Sequence, residues 1–107
     1  MIKVLVYKMH KETKRIVIKG HADSAPKGQD LVCAGVSSIA IGIMNALDEL
    51  VKDECIFQIE EGFIQIEVKN NHCEKTQLIL EILLIQLQTM SQSYKNYIQI
   101  QQQEVAS

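Results

Sequence analysis

An α+β domain in the order ββαββα, a mixed sheet from two hairpins with two long helices and room for a short C-terminal strand, is the fold class this sequence predicts. Three observations predict it. Two pairs of β-branched and aromatic segments are each broken by a short polar turn. Two longer stretches carry apolar residues at intervals of three and four. Finally, 107 residues with 47% hydrophobic content suffice for one core, and no linker or internal repeat divides the chain.

Residues 2–9, IKVLVYKM, and Arg15 to Lys19, RIVIK, flank the polar stretch HKETK and read as a hairpin. Gly20, His21 and ADSAPKGQD follow, where Pro26, Gly28 and small residues permit no regular period, so a loop is expected. From Leu31 to Val51 the residues Val36, Ala40, Ile43, Leu47 and Leu50 fall on one helical stripe, widened by Ile39, Ile41 and Met44. A helix that apolar is expected to be buried on most sides. Cys55 to Glu60 and Phe63 to Lys69 form a second hairpin across Glu61 and Gly62, the latter strand alternating Ile64, Ile66, Val68 with polar residues. Asn71, with Glu74 three residues on, resembles a capping signal for a helix running to about Ser91. That helix carries Leu80, Leu83, Leu87 and Met90 on one stripe and Ile79, Ile82 and Ile85 beside it, more apolar surface than one sheet contact needs. Tyr97 to Gln101 alternates again, and the polar residues 101–107 are expected to fray at the end of a single domain spanning 1–107.

Composition narrows the function. Eleven Lys and Arg against thirteen Asp and Glu, with a pI near 5.9, argue against the basic footprint of direct nucleic-acid binding. Cys33, Cys55 and Cys73 are odd in number and contain no C-x-x-C pair, which suits a reducing cytoplasm better than a disulfide framework. The N-terminal residues lack a signal-peptide core. Leu31 to Leu47 is uncharged and touches the lower length limit of a membrane span, but Ser37, Ser38 and Asn45 interrupt it, so a buried helix and no membrane partner are expected.

Residues 20–38 carry the chemistry. An imidazole, His21, stands where a strand ends, and a thiol, Cys33, stands where the long helix is expected to begin. A loop joining them brings both to one gap if its ends close. An unperturbed cysteine, with pKa about 8.5, is mostly protonated at neutral pH, so a nucleophilic thiol needs help. With Asp30 as N-cap, Cys33 falls in the first turn, where the helix dipole favours the thiolate, and a protonated His21 adds the rest. Ser37, four residues on, shares the helical face and offers a hydroxyl to the sulfur or to substrate. Ala34 and Gly35 keep the entrance small and are expected to leave amides for a developing oxyanion. Acyl transfer uses all of these parts. The bland alternatives are a small buried thiol at Cys33, a plain cap at Asp30, and a Ser37 hydroxyl bonded back to its own helix. Adjacent His72 and Cys73 lack ordinary zinc-ligand spacing, and no metal or cofactor is implied. A redox sensor at Cys33 would lack a visible resolving cysteine.

The run G-H-A, then Gly28, Asp30, Val32-Cys33-Ala34-Gly35 and Ser37, resembles the signature of the Prp family of ribosomal-processing cysteine proteases. TQLILEILLIQLQTM, followed by Tyr94 and a short terminal strand, is similar to that family as well, so nearly the whole chain is covered. The resemblance implies a cytoplasmic endopeptidase that removes the N-terminal extension of large-subunit ribosomal protein twenty-seven. It also implies His21 as base, Cys33 as nucleophile, supporting roles for Asp30 and Ser37, a homodimer, and a mobile loop over the site from Ala22 to Gln29. The competing reading is a non-catalytic ribosome-assembly or RNA-binding module in which Cys33 is incidental.

Overall fold

The computed structural model describes residues 1–20, 27–69 and 72–105, with 27–30 described through their backbone alone. Seven elements follow in order: β1 (Ile2–Met9), β2 (Glu12–Lys19), α1 (Lys27–Leu50), β3 (Cys55–Glu60), β4 (Phe63–Val68), α2 (Glu74–Ser93) and β5 (Ile98–Glu104). The strands form one sheet in the order β3-β4-β2-β1-β5. All neighbours are antiparallel except β1 and β5, which run parallel. This is the expected α+β fold, with the C-terminal strand present.

Alternation places the core on one face of the sheet. Successive strand side chains point to opposite faces, and the register aligns Ile59, Ile64, Ile18, Val4 and Ile100 in one row across the strands. Phe57, Ile66, Ile16 and Val6 form the next row. Over these rows lie Val32, Val36, Ala40, Met44 and Leu47 of α1 and Leu80, Leu83, Leu84 and Leu87 of α2, all buried. Among the described residues both helices lie over that face, and the opposite face carries a polar row in which Gln103, Tyr7, Arg15 and Glu67 stand side by side, with the Arg15 guanidinium 4.2 Å from the Tyr7 ring centre.

Three expectations change. Helix α1 presents only one side to the core: Leu50 and Ile41 are exposed, so the helix is not buried on most sides. The stretch Leu31–Leu50 is long and apolar enough to cross a membrane by length and composition, with 28% of its most apolar window buried in this fold. The residues expected to fray do not all do so, since β5 continues through Glu104 alongside β1 and the Val105 amide donates to the Lys8 carbonyl at 2.7 Å. Backbone pairing holds Gln101, Gln102 and Gln103 in a strand whatever their side chains prefer. The cap of α2 is Cys73, in an extended conformation and making no side-chain cap bond, so Asn71 is not the cap; Asn71 itself lies outside the described residues.

Two brackets fix the remaining geometry. Gln77 of α2 accepts from the Thr13 amide at 2.8 Å and donates to the Thr13 carbonyl at 2.9 Å, satisfying the backbone of β2 at its bulged start. His72 meets the Glu12 carboxylate beside it. At the other end of β2, Gly20 adopts φ +109° and donates to the Gly62 carbonyl at 3.0 Å. A Cβ at Gly20 would lie 2.4 Å from the Met1 carbonyl oxygen, so both sterics and φ demand glycine there. Gly20→Ala is expected to destabilise the fold by about 2–4 kcal/mol, the sum of left-handed strain and a backbone that must move. Chemical denaturation checks this, and a midpoint equal to that of the parent would contradict it.

Candidate active site

Helix α1 begins at Lys27, four residues before the first apolar position of its stripe. Asp30 is therefore the fourth helical residue and not the N-cap. Cys33 falls in the second turn, about 9 Å along the axis from the helix start. The dipole acts mainly within the first turn, so the favourable field expected at Cys33 is largely lost. The amides of Ala34 and Gly35 lie beyond the first four N–H groups, which are the ones a helix leaves unpaired. Gly35 has a different use: a Cβ there would stand 2.8 Å from Met90 Cε, so the glycine lets α2 approach α1 closely.

What the structure does bring together is Cys33 and Ser37. Both line a cavity of about 140 Å³ between α1 and the end of the sheet formed by Gly20, Gly62 and Phe63. Its walls are mostly apolar, with Val36 and Ile41 from α1 and Ile59 and Ile64 from the second hairpin, and Glu60 also contributes to the lining. Cys33 is partly exposed and packs against the core, so it is neither a fully buried hydrophobe nor a surface thiol. The volume is below the range of roughly 300–1,000 Å³ usual for whole small-molecule sites. It suits one side chain of a longer ligand. Residue type alone gives Ile41, Ile59 and Phe63 structural places and no site role; the available signal is strand alternation, which puts Ile59 on the helix face of an edge strand.

His21 follows Gly20 directly in the chain, and Gly20 is in the cavity wall. His21 lies outside the described residues, as do Ala22 to Pro26 of the expected mobile loop, while Lys27 to Gln29 belong to α1. The Asp30 side chain is likewise not described. A larger groove, about 590 Å³, lies at the opposite end of the fold against Lys8, Gln77 and Glu81. It contains no thiol or hydroxyl nucleophile beyond Thr13, whose side chain is buried, so the smaller cavity is the chemical candidate.

A mixed sheet with two helices on one face and a thiol opening into an apolar cleft at its end has the architecture of a small thiol peptidase, and comparison with known proteins narrows this further. The sequence profile of the family described as cysteine protease Prp matches residues 1–99. The chain is 32% identical over 107 residues to the ribosomal processing cysteine protease Prp of Bacillus subtilis (strain 168), covering 94% of this chain and 96% of the relative. Its counterpart in Staphylococcus aureus (strain Mu50 / ATCC 700699) is 31% identical over 87 residues, covering 79% and 82% respectively. The crystal structure of Prp from S. aureus in complex with a covalently linked product peptide superposes with a TM-score of 0.86 at 28% identity, over 96% of this chain and all of that one. This chain belongs to the Prp cysteine protease family. It is a cysteine protease.

The thiols differ in environment. Burial, the nearby carboxylate of Glu54 and the sulfur of Cys73 push Cys55 up from an ordinary value of 9.0 to about 11, against a smaller opposing effect of Lys69. At pH 8 Cys55 is therefore overwhelmingly protonated. Its alkylation by iodoacetamide, followed by peptide mass spectrometry on the native protein, is expected to run roughly 10–100-fold slower than that of an unperturbed thiol. A rate equal to that of a free peptide thiol would contradict the assignment.

Proposed function

We propose that this protein is a cytoplasmic endopeptidase that removes the N-terminal extension of large-subunit ribosomal protein twenty-seven during ribosome maturation, acting as a homodimer. The observation that carries the reading is the shared opening of Cys33 and Ser37 into an apolar cavity sized for one side chain, immediately beside the Gly20 that precedes His21. Family membership and relatives described as ribosomal processing proteases support the substrate class.

In this reading Cys33 is the nucleophile and His21 the base. His21 takes the thiol proton as the sulfur attacks the scissile carbonyl carbon, then returns it to the leaving amine. Water activated by His21 hydrolyses the thioester and regenerates the thiol. Because Cys33 sits beyond the strongest part of the helix field, the cationic imidazole carries most of the thiolate's stabilisation. The Ser37 hydroxyl, facing the same cavity, donates to the sulfur or to the developing oxyanion in place of the helix amides of Ala34 and Gly35. Asp30 is assigned to orienting His21. The apolar wall of Ile41, Ile59 and Phe63 takes an apolar side chain of the extended substrate.

The test is cleavage of a peptide spanning the extension junction by the intact protein and its variants. Cys33→Ala and His21→Ala are each expected to lower kcat/KM by at least about 1,000-fold, and Ser37→Ala by roughly 10–100-fold. Cleavage of the junction peptide by Cys33→Ala at the parent rate would reject the nucleophile. Cleavage of unrelated peptides, with the junction peptide left whole, would reject the substrate and keep the chemistry.

A further inference from the structure

Strand β3 forms one edge of the sheet, and among the described residues no strand pairs with its outer side. Exposed edges are ordinarily blunted by a lysine, a proline or a bulge. The six residues CIFQIE contain neither residue, and they pair with β4 without a shift of register, whereas β1 and β2 shift between Tyr7 and Lys8. Ile56 and Ile59 are 51% and 58% exposed, so this edge is apolar as well as open. The other edge, β5, presents glutamines instead.

The pairing pattern fixes which main-chain groups face outward. Opposed residues in an antiparallel pair alternate between exchanging hydrogen bonds and not exchanging them. The Lys69 amide donates to the Glu54 carbonyl at 2.9 Å. Counting on from Glu54, the residues Ile56, Gln58 and Glu60 turn their N–H and C=O groups toward β4, and Cys55, Phe57 and Ile59 turn theirs toward the open side. Ile59 also lines the cavity that holds Cys33 and Ser37. Phe57 lies about 7 Å further along the strand and Cys55 about 13 Å.

We propose that the open edge of β3 is the docking strand for the protease's peptide substrate: an extended segment flanking the scissile bond adds to the sheet as a sixth strand and exchanges main-chain hydrogen bonds with Ile59 and Phe57. The inference rests on the reading of the Cys33 cavity as the catalytic cleft. Continuity selects this occupant, because a chain leaving that cavity along the sheet meets Ile59 first. Strand addition takes its affinity from the main chain and its specificity from alternate side chains. Residues directly opposite on neighbouring strands share a face. The substrate residue opposite Ile59 therefore points to the α1 side, where Ile41 extends the apolar wall. Its neighbour points to the other face, on which Gln58 Nε2 donates to Glu60 Oε2 at 2.7 Å. Selectivity for apolar residues is thus confined to every second position.

The experiment is a backbone N-methyl scan of a cleaved peptide, either the junction peptide or, where that is left whole, a peptide that the protein cuts from a random library. Failure of the substrate assignment then shows as survival of the junction peptide, failure of the cleft shows as cleavage by Cys33→Ala at the parent rate, and the scan reads the edge separately. Methylation of the amides that face β3 is expected to lower kcat/KM at least about 10-fold at every second position on one side of the scissile bond, with the amides between them tolerant. In the Cys33→Ala chain, amide hydrogen exchange followed by NMR is expected to slow at least about 10-fold at Phe57 and Ile59 when the peptide is added. Ile56, Gln58 and Glu60, already bonded to β4, are expected to change little. A scan without a two-residue period would overturn the proposal, as would unchanged exchange at Phe57 and Ile59 under saturating peptide. Protection of both amides before peptide is added, growing with protein concentration, would overturn it by giving the edge to a second copy of the chain.

Discussion

One-sided burial of the sheet is the constraint from which the rest of the structure follows. Each strand alternates, and the registers bring the apolar halves of all five strands onto a single face, where Ile16, Ile66, Val4 and Val6 are almost wholly removed from water. Two helices, α1 and α2, cover that face, drawn together where Gly35 admits Met90. The functional cavity is where coverage stops: α1 leaves the sheet end at Gly20 and Gly62 incompletely roofed, and Cys33 and Ser37 look into that gap.

How much of this could be read beforehand depends on which force decides each element. Alternation over Ile64, Ile66 and Val68 and the stripe Leu80, Leu83, Leu87 are set by burial, and burial is written in residue type, so those elements were legible. The first hairpin was legible too, but its turn was not: His10 and Lys11 both take positive φ without glycine or asparagine to announce it. The start of α1 is not announced by residue type, because Gly28 reads as loop punctuation although the helix already begins at Lys27. The last strand was cut short for the opposite reason, since glutamines give no pattern and parallel backbone pairing alone keeps them in place.

At the site, residue types were legible and the field around them was not. Cys33 and Ser37 share a cavity because residues four apart share a helix face, an inference from spacing alone. Whether a helix dipole acts on the thiol depends on which turn it occupies, and a boundary error of one turn changed that answer. Gly35, where α2 brings Met90 close, is a packing residue. The Prp family assignment rests on residues 1–99 as a whole and not on the helix start.

Strand β1, near the middle of the sheet, is paired on one side by β2, its immediate successor, and on the other by β5, which follows every other element. Ile2 therefore waits for Ile98, and every other described element must emerge before that flank of β1 is closed. During synthesis the nascent chain carries an unzipped edge of alternating valines and isoleucines for longer than a purely local topology would. Loop closure over such a separation is slow, so β5, the last of the described elements in chain order, is the one that completes the sheet.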